Sequence, residues 1–120
     1  MAIIRDLSDE ERGILDGWLQ LNNIPLTYRD EKEFCDALKV ARIFNRIQPG
    51  LDDLISYSPC ISLPLNFLNW QIFNQRVLRK LDMGVSLRDL EKLALGCPKA
   101  IDSLLFTLMA NESLLKKNKI

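Results

Sequence analysis

Four cations stand at helical spacing in the stretch KEFCDALKVARIFNR: Lys32, Lys39, Arg42 and Arg46 are separated by seven, three and four residues. At about 100° per residue, a single helix would gather them into an arc of roughly 80°. Phe34, Ala37, Leu38, Ala41 and Phe44 would then fill the other side. Ammonium and guanidinium groups in such an array do no covalent chemistry. They form a ridge that recognises carboxylates on another molecule through charge-assisted hydrogen bonds. The pattern also has an ordinary explanation, because lysine and arginine are good helix formers and an amphipathic helix needs a polar face.

Residues for catalysis are scarce. The chain has no histidine, which removes the commonest general base and the commonest metal ligand together. No glycine-rich phosphate loop accompanies its carboxylates. Cys35, Cys60 and Cys97 are odd in number and far apart, without the spacing of a zinc site or a redox CxxC, and read as free, buried thiols. These features argue against an enzyme, and no cofactor or metal is expected. Trp18 and Trp70 lie on apolar stripes and read as core rather than as stacking platforms for bases, so nucleic acid is a poor fit.

The elements that must position the ridge belong to one domain. A chain of 120 residues, 48% hydrophobic and 27% charged, has the composition of a globular protein and room for a single core. No apolar run reaches the ~20 residues of a membrane span, and residues 1–21 are too acidic for a signal peptide, so no membrane partner is expected and the cytosol is the expected compartment. The formal net charge is zero but unevenly spread. Met1 to Asp36 carries 4 basic and 9 acidic residues, whereas Ala37 to Ile120 carries 12 basic and 7 acidic. A dipolar surface and an acidic partner are the physical implication.

Along the chain, Ser8 and Glu11 have capping-box spacing and open a helix whose apolar side is Ile14, Leu15, Trp18, Leu19 and Leu21. NNIPL ends it, since Ile24 precedes Pro25. The basic stretch makes the second helix, with Asp30, Glu31 and Glu33 near its N-terminus and QPG at residues 48–50 as its stop. The segment 51–65 is punctuated by Pro59 and Pro64 and reads as a loop packed by Leu51, Leu54, Ile55 and Ile61. Phe67, Trp70, Phe73, Val77 and Leu81 form the stripe of a central helix ending at Gly84. On it, Arg76, Arg79 and Lys80 read as snorkelling or pairing with Asp82, and Asn69 and Asn74 as structural asparagines bonded to backbone. Ser86 and Asp89 cap the next helix, with Leu87, Leu90, Leu93 and Ala94 inward and Gly96 as terminator. A last helix from about Lys99 buries Ile101, Leu104, Leu105, Leu108 and Met109. No segment alternates at period two, so the fold class is all-α, a bundle of four main helices with one or two short ones. The domain is expected over residues 1–115, with a basic tail at 116–120 containing Lys116, Lys117 and Lys119.

Trp18 with NNIPL, EFCDALKVARIF, FLNWQIFNQRVLRKL and LALGCPKAIDSLL resemble, in that order, the calponin-homology-like domain of the sperm flagellar protein 1 (CLAMP) family. The resemblance covers roughly Leu15 to Leu108, and Asn69 and Trp70 with FNQRVLRKL behind them are its most specific part. It implies a calponin-homology helical bundle that binds microtubules in cilia and flagella, at the axoneme. The family pattern has a basic residue two places before the aromatic that opens the second helix, here Lys32 before Phe34. This chain has TYRDEKE after IPL, so Arg29 and Lys32 stand among acids. Many relatives continue into a coiled coil for dimerisation, which is not visible here.

The expected partner is therefore tubulin in the microtubule wall, contacted by Lys32, Lys39, Arg42 and Arg46 with Arg29 as a helper. Two alternatives come from other classes. One is an adaptor that docks on an axonemal or signalling protein through an apolar and acidic N-terminal surface. The other, ranked last because such domains usually act as tandem pairs, is actin binding.

Overall fold

The computed structural model describes residues 4–31, 34–35, 37–47 and 62–117, with the backbone alone for 30, 31 and 113–117. Its helices are α1 (Asp9–Leu21), α2 (Tyr28–Glu31), α3 (Leu38–Ile47), α4 (Leu63–Phe73), α5 (Leu87–Ala94) and α6 (Pro98–Lys117), and a π-helical turn, Asn74–Leu78, continues α4. No strand occurs among the described residues, and the fold is the expected all-α bundle. Among the described residues five longer helices carry it, with α2 as a single short turn. The expected stop at residues 48–50, the loop packing by Leu51, Leu54, Ile55 and Ile61, Cys60 and the final residues of the tail lie outside the described residues.

Local chemistry sets the helix ends. Ser8 Oγ accepts the Glu11 N–H at 3.1 Å while Glu11 accepts the Ser8 N–H at 2.9 Å, closing the capping box that opens α1. Ser62 and Ser86 cap α4 and α5 by accepting from Leu65 and Asp89. Three helices end the same way. Asn23 (φ 58°), Asp82 (φ 60°) and Gly96 (φ 74°) sit in the left-handed region, and the next N–H reaches five residues back: Ile24 to Leu19, Met83 to Leu78 and Cys97 to Lys92. This is the Schellman closure, which asparagine and aspartate tolerate better than other side chains. The stop expected at Gly84 is therefore made two residues earlier by Asp82. Likewise Leu63, Pro64 and Leu65, expected in a loop, form the first turn of α4, where proline loses no hydrogen bond.

Leu15 and Leu19 of α1, Val40, Ala41 and Phe44 of α3, Trp70, Phe73, Val77 and Leu78 of α4 and its π turn, and Leu90 and Leu93 of α5 meet in one core. Phe44 packs edge-on to Phe73 at 5.0 Å between ring centres, and Phe73 edge-on to Trp70 at 5.8 Å. Among the described residues α6 packs against α1, α2, α3 and α5, and α4, expected as the central helix, packs on α5 and turns the fully buried Trp70 and Phe73 into the core. Buried Ile101, Leu104, Leu105 and Leu108 give α6 the apolar sides that such a position requires.

Some side chains expected inside are not. Ile14, Leu21 and Leu87 are 54, 84 and 66% exposed. Met109, Trp18, Cys35 and Cys97 are half-buried, and neither cysteine is disulfide-bonded. Trp70 is fully enclosed, its indole N–H donating to the Cys35 carbonyl at 2.8 Å. Asn69 and Asn74 are buried as expected, and Asn74 exchanges two hydrogen bonds with the Val85 backbone.

Candidate binding surface

The ridge is shorter than the sequence spacing implies. A helix through residues 32–46 is interrupted: α2 ends at Glu31, and α3 begins at Leu38, after Ala37 at φ 65°. Lys32 lies outside the described residues and off α3. Phe34, expected on that helix, is buried in the turn between the two helices, stacked on Tyr28 with ring centres 4.7 Å apart. Cys35 in the same turn receives the Trp70 indole N–H. The turn is thus pinned from two directions. Holding an L-residue such as Ala37 in the left-handed region costs about 1–2 kcal/mol, and these contacts offset it.

What α3 retains is Lys39, Arg42 and Arg46, all exposed, within an arc of about 60°. Val40, Ala41 and Phe44 anchor the opposite side in the core, and Ile43 is buried beside the trio. Among the described residues no ion pair engages Arg42. Arg46 donates to the Asn22 carbonyl at 2.6 Å, and so stands at the C-terminal ends of both α1 and α3, where helix dipoles favour a cation.

These side chains rim a shallow groove of about 360 Å³. Its floor and walls are Asn23, Ile24 and Pro25 from the NNIPL turn, with Phe34 and Ile43. Past Arg46 it runs into a smaller hollow of about 140 Å³ bounded by Asn22, Ile47 and Glu112. The Glu112 carboxylate accepts the Trp18 indole N–H at 2.8 Å, tying α6 to α1. The sequence reading missed the groove. NNIPL and the cations are some twenty residues apart in sequence, and only the fold of α3 back onto the end of α1 brings them together.

Arg29, expected beside the ridge, is placed elsewhere. Its guanidinium donates to Asp16 at 2.6 Å and to Asp102 at 3.1 Å, and its side chain is 20% exposed. The Tyr28 hydroxyl donates to the same Asp102 oxygen, and Arg12 approaches the other at 4.0 Å. Burial, and next the hydrogen bond to Asp102, push the Tyr28 phenol well above its usual pKa. Burial opposes the charge on Arg29, but the hydrogen bond to Asp16 and the nearby charges overcome it and raise its pKa. This cluster joins α1, α2 and α6 and holds them together.

The all-α bundle fits a calponin-homology-like domain, and comparison with known proteins bears on that class directly. The family described as CH-like domain in sperm protein matches residues 15–110, and the chain belongs to it. It is similar to sperm flagellar protein 1 of Bos taurus, 28% identical over 104 residues, and to those of Homo sapiens and Mus musculus at 27% and 28%. Each match covers 84% of this chain and 44% of the relative, so the chain spans less than half the length of these proteins.

Proposed function

We propose that this domain is a non-enzymatic microtubule-binding module of a ciliary or flagellar cytoskeletal protein, docking through the outer face of α3. The observation that carries the proposal is the exposed trio Lys39, Arg42 and Arg46 on a helix whose inner face is locked in the core. Its setting in a family whose curated relatives are named for the sperm flagellum supports the partner. Tubulin supplies the acidic surface that such a ridge requires. Arg29 contributes indirectly, by holding α2 against α1 and α6. Three exposed ion pairs contribute together at most about 3 kcal/mol, which is weaker than millimolar binding. The module therefore works through additional shape-complementary contacts or through several copies held together.

Cosedimentation with taxol-stabilised microtubules tests this. The domain should pellet at low salt and less at physiological salt, where screening over about 8 Å loosens exposed charge contacts. Lys39→Glu combined with Arg42→Glu should abolish pelleting. Pelleting that survives the double substitution removes α3 as the docking face, and pelleting with actin filaments instead would favour the actin reading. One observation favours an adaptor as the second reading. Ile14 and Leu21, exposed on α1, border a shallow hollow of about 580 Å³ with Gly13, Gly17, Trp18 and Met109.

A further inference from the structure

The surface under the cations is concave and apolar as well as charged. Ile24, Pro25 and Ile43 face the hollow, and Lys39, Arg42 and Arg46 stand around it. A flat acidic surface would touch the rim and leave the hollow unfilled, forfeiting the close contacts that add to charge pairing. We infer that the groove takes an extended acidic peptide segment carrying an apolar side chain between its carboxylates. The apolar group sits on Ile24, Pro25 and Ile43, and the carboxylates meet Lys39 and Arg42. This builds on the reading of α3 as the docking face and specifies what is recognised there.

Charge complementarity sets the direction of the segment. Lys39 and Arg42 line the larger hollow, whereas Glu112 stands in the smaller one beyond Arg46. The acidic residues therefore lie at the Lys39 and Arg42 end, and the chain leaves before it reaches Glu112. The walls are formed in advance. Asn23, on the groove, and Ala37, just before α3, are two of the three non-glycine residues with positive φ among those described. Their turns are fixed by the Schellman bonds after α1 and by the stacking of Phe34 on Tyr28. Little ordering is left to oppose binding.

Fluorescence anisotropy with two short end-capped peptides decides the matter. One is glutamate and glycine around a central phenylalanine, and the other has serine in place of the phenylalanine. The phenylalanine peptide should bind about tenfold more tightly, the gain expected for burying part of a large apolar side chain. Arg42→Glu, at an exposed position, should weaken both peptides while the thermal midpoint stays unchanged. Amide shifts on titration should centre on Asn23, Ile24 and Ile43. Equal affinities, or shifts that centre elsewhere, overturn the inference. Microtubule pelleting by the same protein separates the two proposals. Pelleting with equal peptide affinities sinks the groove and leaves the docking face standing. Peptide discrimination without pelleting upholds the groove and removes tubulin as its ligand.

Discussion

Arg29 and Arg42 lie thirteen residues apart in the sequence and meet opposite fates. Arg29 is drawn inward, its guanidinium divided between Asp16 and Asp102 and close to the Tyr28 ring at 5.5 Å. Arg42 stands in solvent with no ion pair among the described residues. Two arginines and two carboxylates, Arg12, Arg29, Asp16 and Asp102, balance each other within the first cluster. Arg42 has no such counterpart among the described residues. A buried charge must be matched inside the fold, whereas an exposed unmatched one costs the fold little and is available to a partner. Matching is therefore what separates Arg29, which holds the bundle, from Arg42, which stays available to a partner.

Substitutions can break this contrast at either end. The largest effect is expected from Asp102→Ala, which removes the acceptor of the Tyr28 hydroxyl and Arg29 and leaves two guanidinium groups facing each other. Losing one partner of a buried ionic group costs about 3–5 kcal/mol, which urea unfolding should register as a large drop in midpoint. Tyr28→Phe keeps the stacking on Phe34 but deletes the donor to Asp102, and should cost about 1–2 kcal/mol in the same measurement.

A smaller effect belongs to Glu11, whose carboxyl the hydrogen bond from Arg5, and next that from the Ser8 N–H, hold down at about 2. Because the folded pKa lies below the ordinary 4.5, its contribution is complete above that value and is lost as the pH falls toward 2. Thermal midpoints measured between these pH values should fall less steeply in Glu11→Gln than in the parent. The least effect on stability is expected from Arg42→Glu, within about 0.5 kcal/mol by denaturant unfolding, although this substitution should weaken docking. A large loss of stability in Arg42→Glu would collapse the distinction between the two clusters.

Legibility in the sequence followed the range of the interactions. Ser8 with Glu11, the Ser86 cap and the Gly96 stop act over a few residues, and each stands where the sequence places it. The break at Ala37 was not legible. Alanine gives no sign of a left-handed turn, and Phe34 and Ala37 stay buried in the turn just as they would in a helix. The periodic pattern is thus satisfied by both structures. In the sequence Pro64 reads as punctuation, because a proline that interrupts a helix and one that begins it look alike until the Ser62 cap is recognised. The role of Arg29 depends on Asp102, 73 residues away, and the groove depends on α3 returning to the end of α1. Neither contact leaves a local mark.

The π-helical turn after α4 has a consequence for how that helix can be composed. Asn66, Trp70, Asn74 and Leu78 are buried four residues apart, and so are Asn69, Phe73 and Val77. In a regular α-helix such a repeat slips by about 40° at every step, which would carry its last members around toward water. The wider turn at Asn74–Leu78 winds less per residue and sets the phase back. A four-residue rhythm of asparagines and large apolar groups can therefore stay on one side, while Arg76 points outward and Arg79 and Lys80 are exposed just beyond the π turn.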